Sequence, residues 1–100
     1  MRKLILGIIA FFALAIAHQA SAGSFEDGIA AFEHADYATA LRLWKQLADS
    51  GYVPAQVKAA ELYSDWHKGV RDDKLAAKYF RLAADQGDPF AQYRIWLMLL

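Results

Sequence analysis

The chain has 100 residues, enough for one small domain, and its 11 basic and 11 acidic side chains give a formal net charge of zero. Because the sequence has no cluster of lysine and arginine, it does not fit a protein that binds nucleic-acid phosphates. The absence of cysteine excludes disulfides, a thiolate zinc site and lipid attachment through an N-terminal cysteine, so a chain this small depends on closely packed secondary structure.

The N-terminus has the organisation of a secretory signal peptide. Two basic residues precede an apolar run over residues 4–17, and the small residues Ala20 and Ala22 favour cleavage after Ala22. The run is shorter than the ~20 apolar residues that cross a bilayer, so a cleaved signal is favoured over an uncleaved membrane anchor. The mature chain, residues 23–100, then carries nine basic and eleven acidic side chains, a formal charge of −2, and is expected in the periplasm or outside the cell.

Capping residues and hydrophobic periodicity predict five helices in the rest of the chain. The predicted helices cover residues 25–34, 37–49, 54–64, 73–86 and 89–100, with a loop at residues 65–71. Aspartates suited to N-caps precede the second, fourth and fifth helices, with Asp72 and Asp73 both candidates for the fourth. Gly51 and Gly87 suit left-handed turns after the second and fourth. No segment alternates apolar and polar residues as a strand does, so the predicted fold class is all-α.

The second and fourth predicted helices carry the same pattern thirty-six residues apart. The matching faces are Tyr37, Ala40, Leu41, Trp44, Leu47 and Ala48 in one helix and Asp73, Ala76, Ala77, Phe80, Ala83 and Ala84 in the other. The Ala-Asp-x-Gly end of both helices recurs at the same offset, and so does the Ala-Gln pair that follows. A helix pair repeated at this spacing indicates an α-solenoid, in which each unit buries its apolar face against its neighbours.

A known repeat family shares this pattern. The residues concerned are Ala55-Gln56, Leu62-Tyr63, Gly69-Val70, Asp72, Ala76-Ala77, Tyr79-Phe80, Ala83-Ala84, Asp85-Gln86-Gly87 and Ala91-Gln92-Tyr93. Their order resembles the Sel-one-like repeat, a relative of the tetratricopeptide repeat. The resemblance implies a superhelix of antiparallel helix pairs, with a partial unit at residues 24–52, a full repeat at 53–87 and half a repeat at 88–100. It also implies an interaction scaffold, since most members of the family act in that way.

The resemblance gives candidates for partner binding. In such repeats the first helix of each pair lines the concave side, which implies that Lys58, Glu61 and Arg94 lie near that surface; an ordinary solvated helix face is the alternative for each. The predicted loop adds Trp66 and His67. An exposed tryptophan is a typical binding anchor, but Trp66 could equally fold back over the end of its own helix pair.

The C-terminal segment is apolar at every position of residues 95–100, including Trp96. A helix that is apolar all round needs cover on all sides, and terminal repeats normally have a polar outer face. Two readings stay open: a surface that associates with a partner, a second copy or a membrane, or a piece of a longer repeat array. The apolar line of Leu75, Tyr79 and Leu82 on the fourth helix is expected to be covered by the fifth.

The sequence offers little for metal binding or catalysis. His34 and His67, with Glu61 and Asp65 near the second, match no pattern of metal ligands, and His34 suits a helix C-terminus. The acidic pairs at residues 26–27 and 72–73 fall in first helical turns, where caps and the helix dipole favour negative charge. No Gly-x-Ser-x-Gly elbow or phosphate-binding glycine loop is present. No cofactor is expected.

These features favour an exported, non-enzymatic helical-repeat adaptor that binds a protein partner in the cell envelope. Its candidate partner-binding residues are Lys58, Trp66, His67, Arg94 and Trp96. Two other functions stay open. One is a hydrolase, as claimed for some cysteine-rich relatives with beta-lactamase activity. The other is a membrane-associated structural protein that keeps its N-terminal segment.

Overall fold

A computed structural model describes residues 24–100 and shows an all-α fold over that range, as predicted. The helices are α1 (residues 24–33), α2 (Tyr37–Asp49), α3 (Val53–Ser64), α4 (Asp73–Asp85) and α5 (Pro89–Met98). Each helix from α2 onward packs on the next one in the chain. The observed bounds lie close to the predicted ones. The predicted signal peptide and its cleavage point lie outside the described residues.

Aspartates begin three of the helices. The side chains of Asp36, Asp72 and Asp88 accept hydrogen bonds from the backbone N–H three residues later, at donor–acceptor distances of 3.3, 3.1 and 2.8 Å. Each carboxylate thereby satisfies an N–H group that has no partner within the helix. Of the two candidates at the start of α4, Asp72 is the cap. Asp73 is the first helical residue, and it pairs with Arg71 at 2.9 Å.

Glycines end α2 and α4 in the same way. Gly51 and Gly87 have φ angles of 101° and 94°, the left-handed region that side chains with a Cβ rarely adopt. The N–H of Gly51 donates to the carbonyl of Ala48 at 3.0 Å, and the next N–H donates to the carbonyl of Leu47 at 3.1 Å. This is a Schellman turn. The same two hydrogen bonds, with the same lengths, recur thirty-six residues later around Gly87.

Small residues lie where the helices approach one another. The fully or almost fully buried alanines are Ala40, Ala48, Ala55, Ala59, Ala60, Ala76, Ala83 and Ala91. Four larger side chains, Trp44, Tyr63, Tyr79 and Phe80, fill the space between them. Alanine loses no side-chain entropy on burial and allows the backbones of two helices to approach closely. The core is therefore stabilised mainly by close packing between helices.

Trp44 attaches α1 to the rest of the fold. Its indole Nε1 donates to the backbone carbonyl of Phe25 at 3.3 Å, and its ring lies 6.3 Å from the ring of Phe25 and 5.9 Å from that of Phe32. Gly28 faces the same indole, and a Cβ built on Gly28 would lie 2.3 Å from Nε1. The glycine is therefore required by close packing and not by backbone conformation.

The cover of Tyr79 differs from the prediction. The apolar line of Leu75, Tyr79 and Leu82 was expected to be covered by α5. Instead, the Tyr79 hydroxyl donates to the Asp49 carboxylate at the end of α2, at 2.5 Å, and its ring stacks on Tyr63 of α3 with centroids 6.0 Å apart. The prediction was wrong because it treated Tyr79 as an apolar side chain. Its hydroxyl needed a partner, and the partner lies thirty residues earlier in the chain.

Replacing Gly28 with alanine should destabilise the protein, although alanine is the better helix former. The added methyl group must displace the Trp44 indole, and overpacking of this kind costs ~1–3 kcal/mol. Urea denaturation followed by circular dichroism measures the loss. Gln46→Ala, at an exposed position of α2, is the control and should change the free energy of unfolding by less than ~0.5 kcal/mol. Equal stabilities for Gly28→Ala and the original protein would contradict the close packing of α1 on Trp44.

The Tyr79–Asp49 contact should make stability depend on pH in the alkaline range. Burial, with a further contribution from the hydrogen bond to Asp49, raises the pKa of Tyr79 from 10.0 to about 12. The fold thus favours the neutral phenol, so this contribution is complete below pH 10.0 and is lost as the pH rises toward 12. We expect Tyr79→Phe to lower the free energy of unfolding at neutral pH and to flatten its fall over this range. Tyr93→Phe, at an exposed tyrosine, should leave both unchanged.

Candidate functional site

Asp65 organises the loop between α3 and α4, which holds two of the predicted binding residues. One carboxylate oxygen of Asp65 accepts from the backbone N–H of His67 at 2.8 Å, and the other accepts from Lys68 Nζ at 2.6 Å. The hydrogen bond from Lys68 and then that from the His67 backbone hold the pKa of Asp65 below its usual value. The other end of the loop is fixed where the Asp72 N–H donates to the carbonyl of Tyr63 at 2.8 Å.

Lys68 ties this loop to the N-terminal helices. Its Nζ lies 5.7 Å from the centre of the Phe32 ring on α1 and 5.3 Å from that of Tyr37 on α2. An ammonium group over aromatic faces is attracted by their negative potential. The hydrogen bond to Asp65 raises the pKa of Lys68, which favours its charged form. One cation therefore holds α1, α2 and the loop together.

A first cavity of about 310 Å³ lies between these elements. Its apolar lining consists of Ile29, Phe32, Trp44 and Leu62, and its charged lining of Glu33, Lys58, Glu61, Asp65 and Lys68. The aromatic and aliphatic groups supply surface for an apolar side chain, and the charged groups supply polar contacts. Of the predicted binding residues, Lys58 is placed here, exposed on α3.

A second cavity of about 380 Å³ adjoins the first at the C-terminal end of α3. It is lined by Glu61, Ser64, Asp65, Trp66, His67, Phe90 and Arg94. Glu61 and Asp65 line both cavities. Together the two form a continuous surface, here called the α3 groove. The groove brings together Lys58, Trp66, His67 and Arg94, which are separated by as many as thirty-six residues in the sequence.

Arg94 is held in the α3 groove by two aromatic rings and a hydroxyl group. Its guanidinium carbon lies 4.7 Å from the centre of the Phe80 ring and 5.9 Å from that of Phe90, and its Nη2 donates to Ser64 Oγ at 3.3 Å. Within residues 24–100 no carboxylate forms an ion pair with Arg94. A guanidinium has five N–H donors, so most of them are left for a ligand. This arrangement can bind a carboxylate or a carbonyl oxygen.

The structure shows which of two positions the Trp66 side chain takes, exposed or folded back over the end of its helix pair. The side chain is 72% exposed, so it does not fold back over the end of its helix pair. The indole contacts the His67 imidazole, with ring centroids 5.0 Å apart. The exposed pair stands at the edge of the second cavity. Trp96 lies elsewhere: it is 59% exposed on α5 and lines neither cavity.

The residues considered for other chemistry have structural contacts. The imidazole Nδ1 of His34 lies 2.8 Å from the carbonyl of Ala30 near the end of α1, and Asp72 and Asp73 serve α4 as described above. Within the part of the chain that the structure describes, no group of three or more metal-ligating side chains comes together. Among the same residues, no helix is long and apolar enough to cross a membrane.

Sequence patterns did not reveal what fixes the groove. The Asp65–His67 contact is a local turn signal, an aspartate that binds the N–H two residues later, and could have been recognised. The cation–π contacts of Lys68 with Phe32 and of Arg94 with Phe80 had no sequence signal, because the partners are distant in the chain.

No family model matches the chain, and no curated protein matches it.

Replacing Asp65 with alanine should make the loop between α3 and α4 more mobile without unfolding the helices. The change removes the acceptor of both the His67 N–H and Lys68. We expect the His67 amide to exchange with solvent at least about tenfold faster, as measured by NMR, while the amides of α3 and α4 keep their protection. Glu33→Ala is the control, because it changes an exposed carboxylate of the same groove that accepts no hydrogen bond from residues 24–100. Unchanged exchange at His67 in Asp65→Ala would contradict the organising role of Asp65.

Proposed function

We propose that this protein is an exported, non-enzymatic adaptor of the Sel-one-like repeat type, and that it binds a segment of a partner protein in the α3 groove. The observation that carries the proposal is the groove itself. It combines an exposed tryptophan, an arginine oriented by two aromatic rings and an apolar base between packed helices. Tryptophan and arginine are the side chains that most often dominate the energy of protein interfaces.

The repeat component of the proposal is supported by contacts that recur at one offset. Gln56 Nε2 donates to the Ala48 carbonyl at 3.2 Å, and Gln92 Nε2 donates to the Ala84 carbonyl at 3.2 Å. The aspartate caps of α2 and α4, Asp36 and Asp72, and the glycine turns at Gly51 and Gly87 recur at the same thirty-six residues. Local contacts repeated in this way are what a superhelix of equivalent helix pairs requires. In such a superhelix the α3 groove corresponds to the concave side, where repeat proteins commonly bind their partners.

The contacts of the Ser64 hydroxyl group in the groove favour binding over hydrolysis. Ser64 Oγ donates to the Glu61 carbonyl at 2.8 Å and accepts from Arg94, so it is held by its own helix and by a cation. A serine nucleophile needs a base within hydrogen-bond reach, and neither of these partners is a base. The imidazole of His67, the histidine of the groove, contacts the Trp66 ring at a tilted angle, and the backbone N–H of His67 donates to Asp65.

Export is the component of the proposal that rests on residues 1–22 alone. Mass spectrometry of the protein recovered from cells tests it directly. We expect a mature N-terminus at Gly23, because the small residues at Ala20 and Ala22 suit signal cleavage. An intact N-terminus in membrane fractions would instead support the membrane-associated role.

A site-specific cross-linking experiment tests partner binding. A photoreactive benzophenone side chain placed at Lys58, in the groove, should capture a defined partner in cell-envelope extract. The same side chain at Arg81, an exposed position of α4 outside the groove, is the matched control and should not. In the Lys58 protein, adding Trp66→Ala or Arg94→Ala should reduce the cross-linked yield more than about fivefold, as expected for interface anchors. Trp96→Ala should leave it unchanged.

Two results would contradict the proposal. The first is equal capture from Lys58 and Arg81, which would indicate non-specific contact. The second is turnover of chromogenic beta-lactam or ester substrates by the purified protein that is lost in His67→Ala, which would support the hydrolase alternative.

A further inference from the structure

The outer sides of α2 and α4 carry basic side chains at equivalent positions. Arg42 and Lys45 of α2 lie thirty-six residues before Lys78 and Arg81 of α4, the offset that also relates the Schellman turns of the two helices. Lys74 lies about one turn before Lys78 and adds a fifth cation. All five are exposed, and because they are spread over residues 42–81 the sequence shows no basic cluster. Arg42, Lys45, Lys74, Lys78 and Arg81 are here called the basic face.

The basic face points away from the core. On α4, the side that packs against other helices includes Ala76 and Phe80, both fully buried. Lys74, Lys78 and Arg81 follow one another at spacings of four and three residues, so they form a stripe along the opposite side of the helix. None of the five cations lines either cavity of the α3 groove. The basic face is therefore a separate surface.

The α2 and α4 parts of the basic face meet at Asp49. Lys45 Nζ of α2 donates to the Asp49 carboxylate at 2.9 Å, and the Tyr79 hydroxyl of α4 donates to the same carboxylate at 2.5 Å. Lys78 Nζ lies 5.2 Å from the centre of the Tyr79 ring. The hydrogen bond from Tyr79, then that from Lys45 and the charges of Lys45 and Lys78, lower the pKa of Asp49. Cations of both helices thus lie around one carboxylate, and the basic face is continuous from α2 to α4.

The basic face has more positive than negative side chains. Its carboxylates are Asp49 and Asp85, which occupy equivalent positions at the ends of α2 and α4. Asp49 pairs with Lys45, whereas the other four cations of the face form no ion pair within residues 24–100. Five positive and two negative charges on this side contrast with a formal net charge of zero for the whole chain. An anionic partner is therefore attracted to this side of the protein.

A membrane surface with anionic lipids fits this face better than a macromolecule of fixed shape. Protein partners are usually anchored by aromatic or arginine side chains in well-packed pockets, and single-stranded nucleic acids by stacking on aromatic rings. The aromatic ring nearest to these cations, that of Tyr79, is fully buried. Lipid headgroups move laterally, so their phosphates can meet cations on long, flexible side chains. Each lysine or arginine near an anionic leaflet adds to the attraction.

We propose that the basic face binds the headgroups of anionic lipids, with α2 and α4 lying side by side along the membrane surface. The attraction comes from charge, so no side chain of the face enters the hydrocarbon. Further repeats after α5 would lengthen this side of a superhelix without covering it. The proposal does not depend on the α3 groove, since the two surfaces share no residue. It adds a site that holds an adaptor at a membrane while the groove is free for its partner.

Co-sedimentation with vesicles tests the proposal on the full-length protein. The probe is a vesicle of phosphatidylcholine and phosphatidylglycerol in equal parts, and vesicles of phosphatidylcholine alone report any binding by the apolar run of residues 4–17. We expect the affinity for the anionic vesicles to fall at least about tenfold in Lys78→Gln/Arg81→Gln, since each cation near an anionic surface contributes about fivefold. Raising the salt concentration from about 0.1 M to about 1 M should release the protein, because the Debye length falls from ~10 Å to ~3 Å.

Two further variants separate this face from general charge and from a damaged fold. Lys58→Gln/Arg94→Gln removes two cations from the α3 groove and should change the affinity for anionic vesicles by less than about twofold, because distant charges are screened. Asp85→Asn removes a carboxylate from the end of the α4 stripe and should raise the affinity about fivefold. A damaged fold does not produce such a gain.

Three results would overturn the proposal. The first is equal affinity for vesicles with and without phosphatidylglycerol, which would assign the binding to the apolar run. The second is unchanged affinity in Lys78→Gln/Arg81→Gln, or an equal loss in Lys58→Gln/Arg94→Gln. The third is a DNA duplex or polyglutamate that binds more tightly than the vesicles at equal anion concentration and loses affinity in Lys78→Gln/Arg81→Gln. That result would assign the face to a nucleic acid or to an acidic protein.

Discussion

Close contact between consecutive helices at alanine is the constraint on which the other features of this fold depend. The chain has no cysteine, and most of the buried apolar residues that the structure describes are alanines, so each of them buries little apolar volume. Alanines such as Ala48 and Ala55 lose no side-chain entropy and bring backbones near one another. That proximity lets Gln56 reach the carbonyl of Ala48 from the next helix. A larger residue at either alanine would separate α2 from α3 and break this hydrogen bond.

The buried glutamine shows why the contact must be precise. Gln56 is 2% exposed, and an unsatisfied buried amide is costly. The Gln56 side chain donates to the Ala48 carbonyl of α2 and accepts from Gln86 at the end of α4. Both hydrogen bonds form only when α2 and α4 lie at the correct distances from α3. No buried side-chain nitrogen or oxygen lacks a partner among the described residues. The polar contacts therefore specify the register of the helices, while the alanines and aromatic rings supply the contact area.

The features that could be predicted from the sequence depend on residues close together in the chain, and those that could not depend on contacts between distant residues. The aspartate caps and glycine turns depend on residues within six positions, so the helix bounds followed closely from the sequence. The exposure of Trp66 could not be decided from the sequence, because the burial of a loop side chain depends on which distant residues lie beside it. The cover of Tyr79 was predicted wrongly because the deciding partner, Asp49, belongs to another helix. Lys58 and Arg94 were chosen by family resemblance, and Trp66 and His67 by their place in the predicted loop. The aromatic rings that hold Arg94 became visible only in three dimensions.

The two proposed surfaces differ in a way that bears on how an adaptor could work. The α3 groove combines charged and apolar groups, and its Arg94 is held by two aromatic rings and a hydroxyl group, so it suits a partner of defined shape. On the basic face, only Lys45 of the five cations forms an ion pair among the described residues, so this face suits a surface whose charges move. Both surfaces depend on α4, which carries Lys78 and Arg81 of the basic face and also Phe80, whose ring holds Arg94. The proposed surfaces would be coupled only by a movement of α4, since a rigid helix would transmit nothing between them.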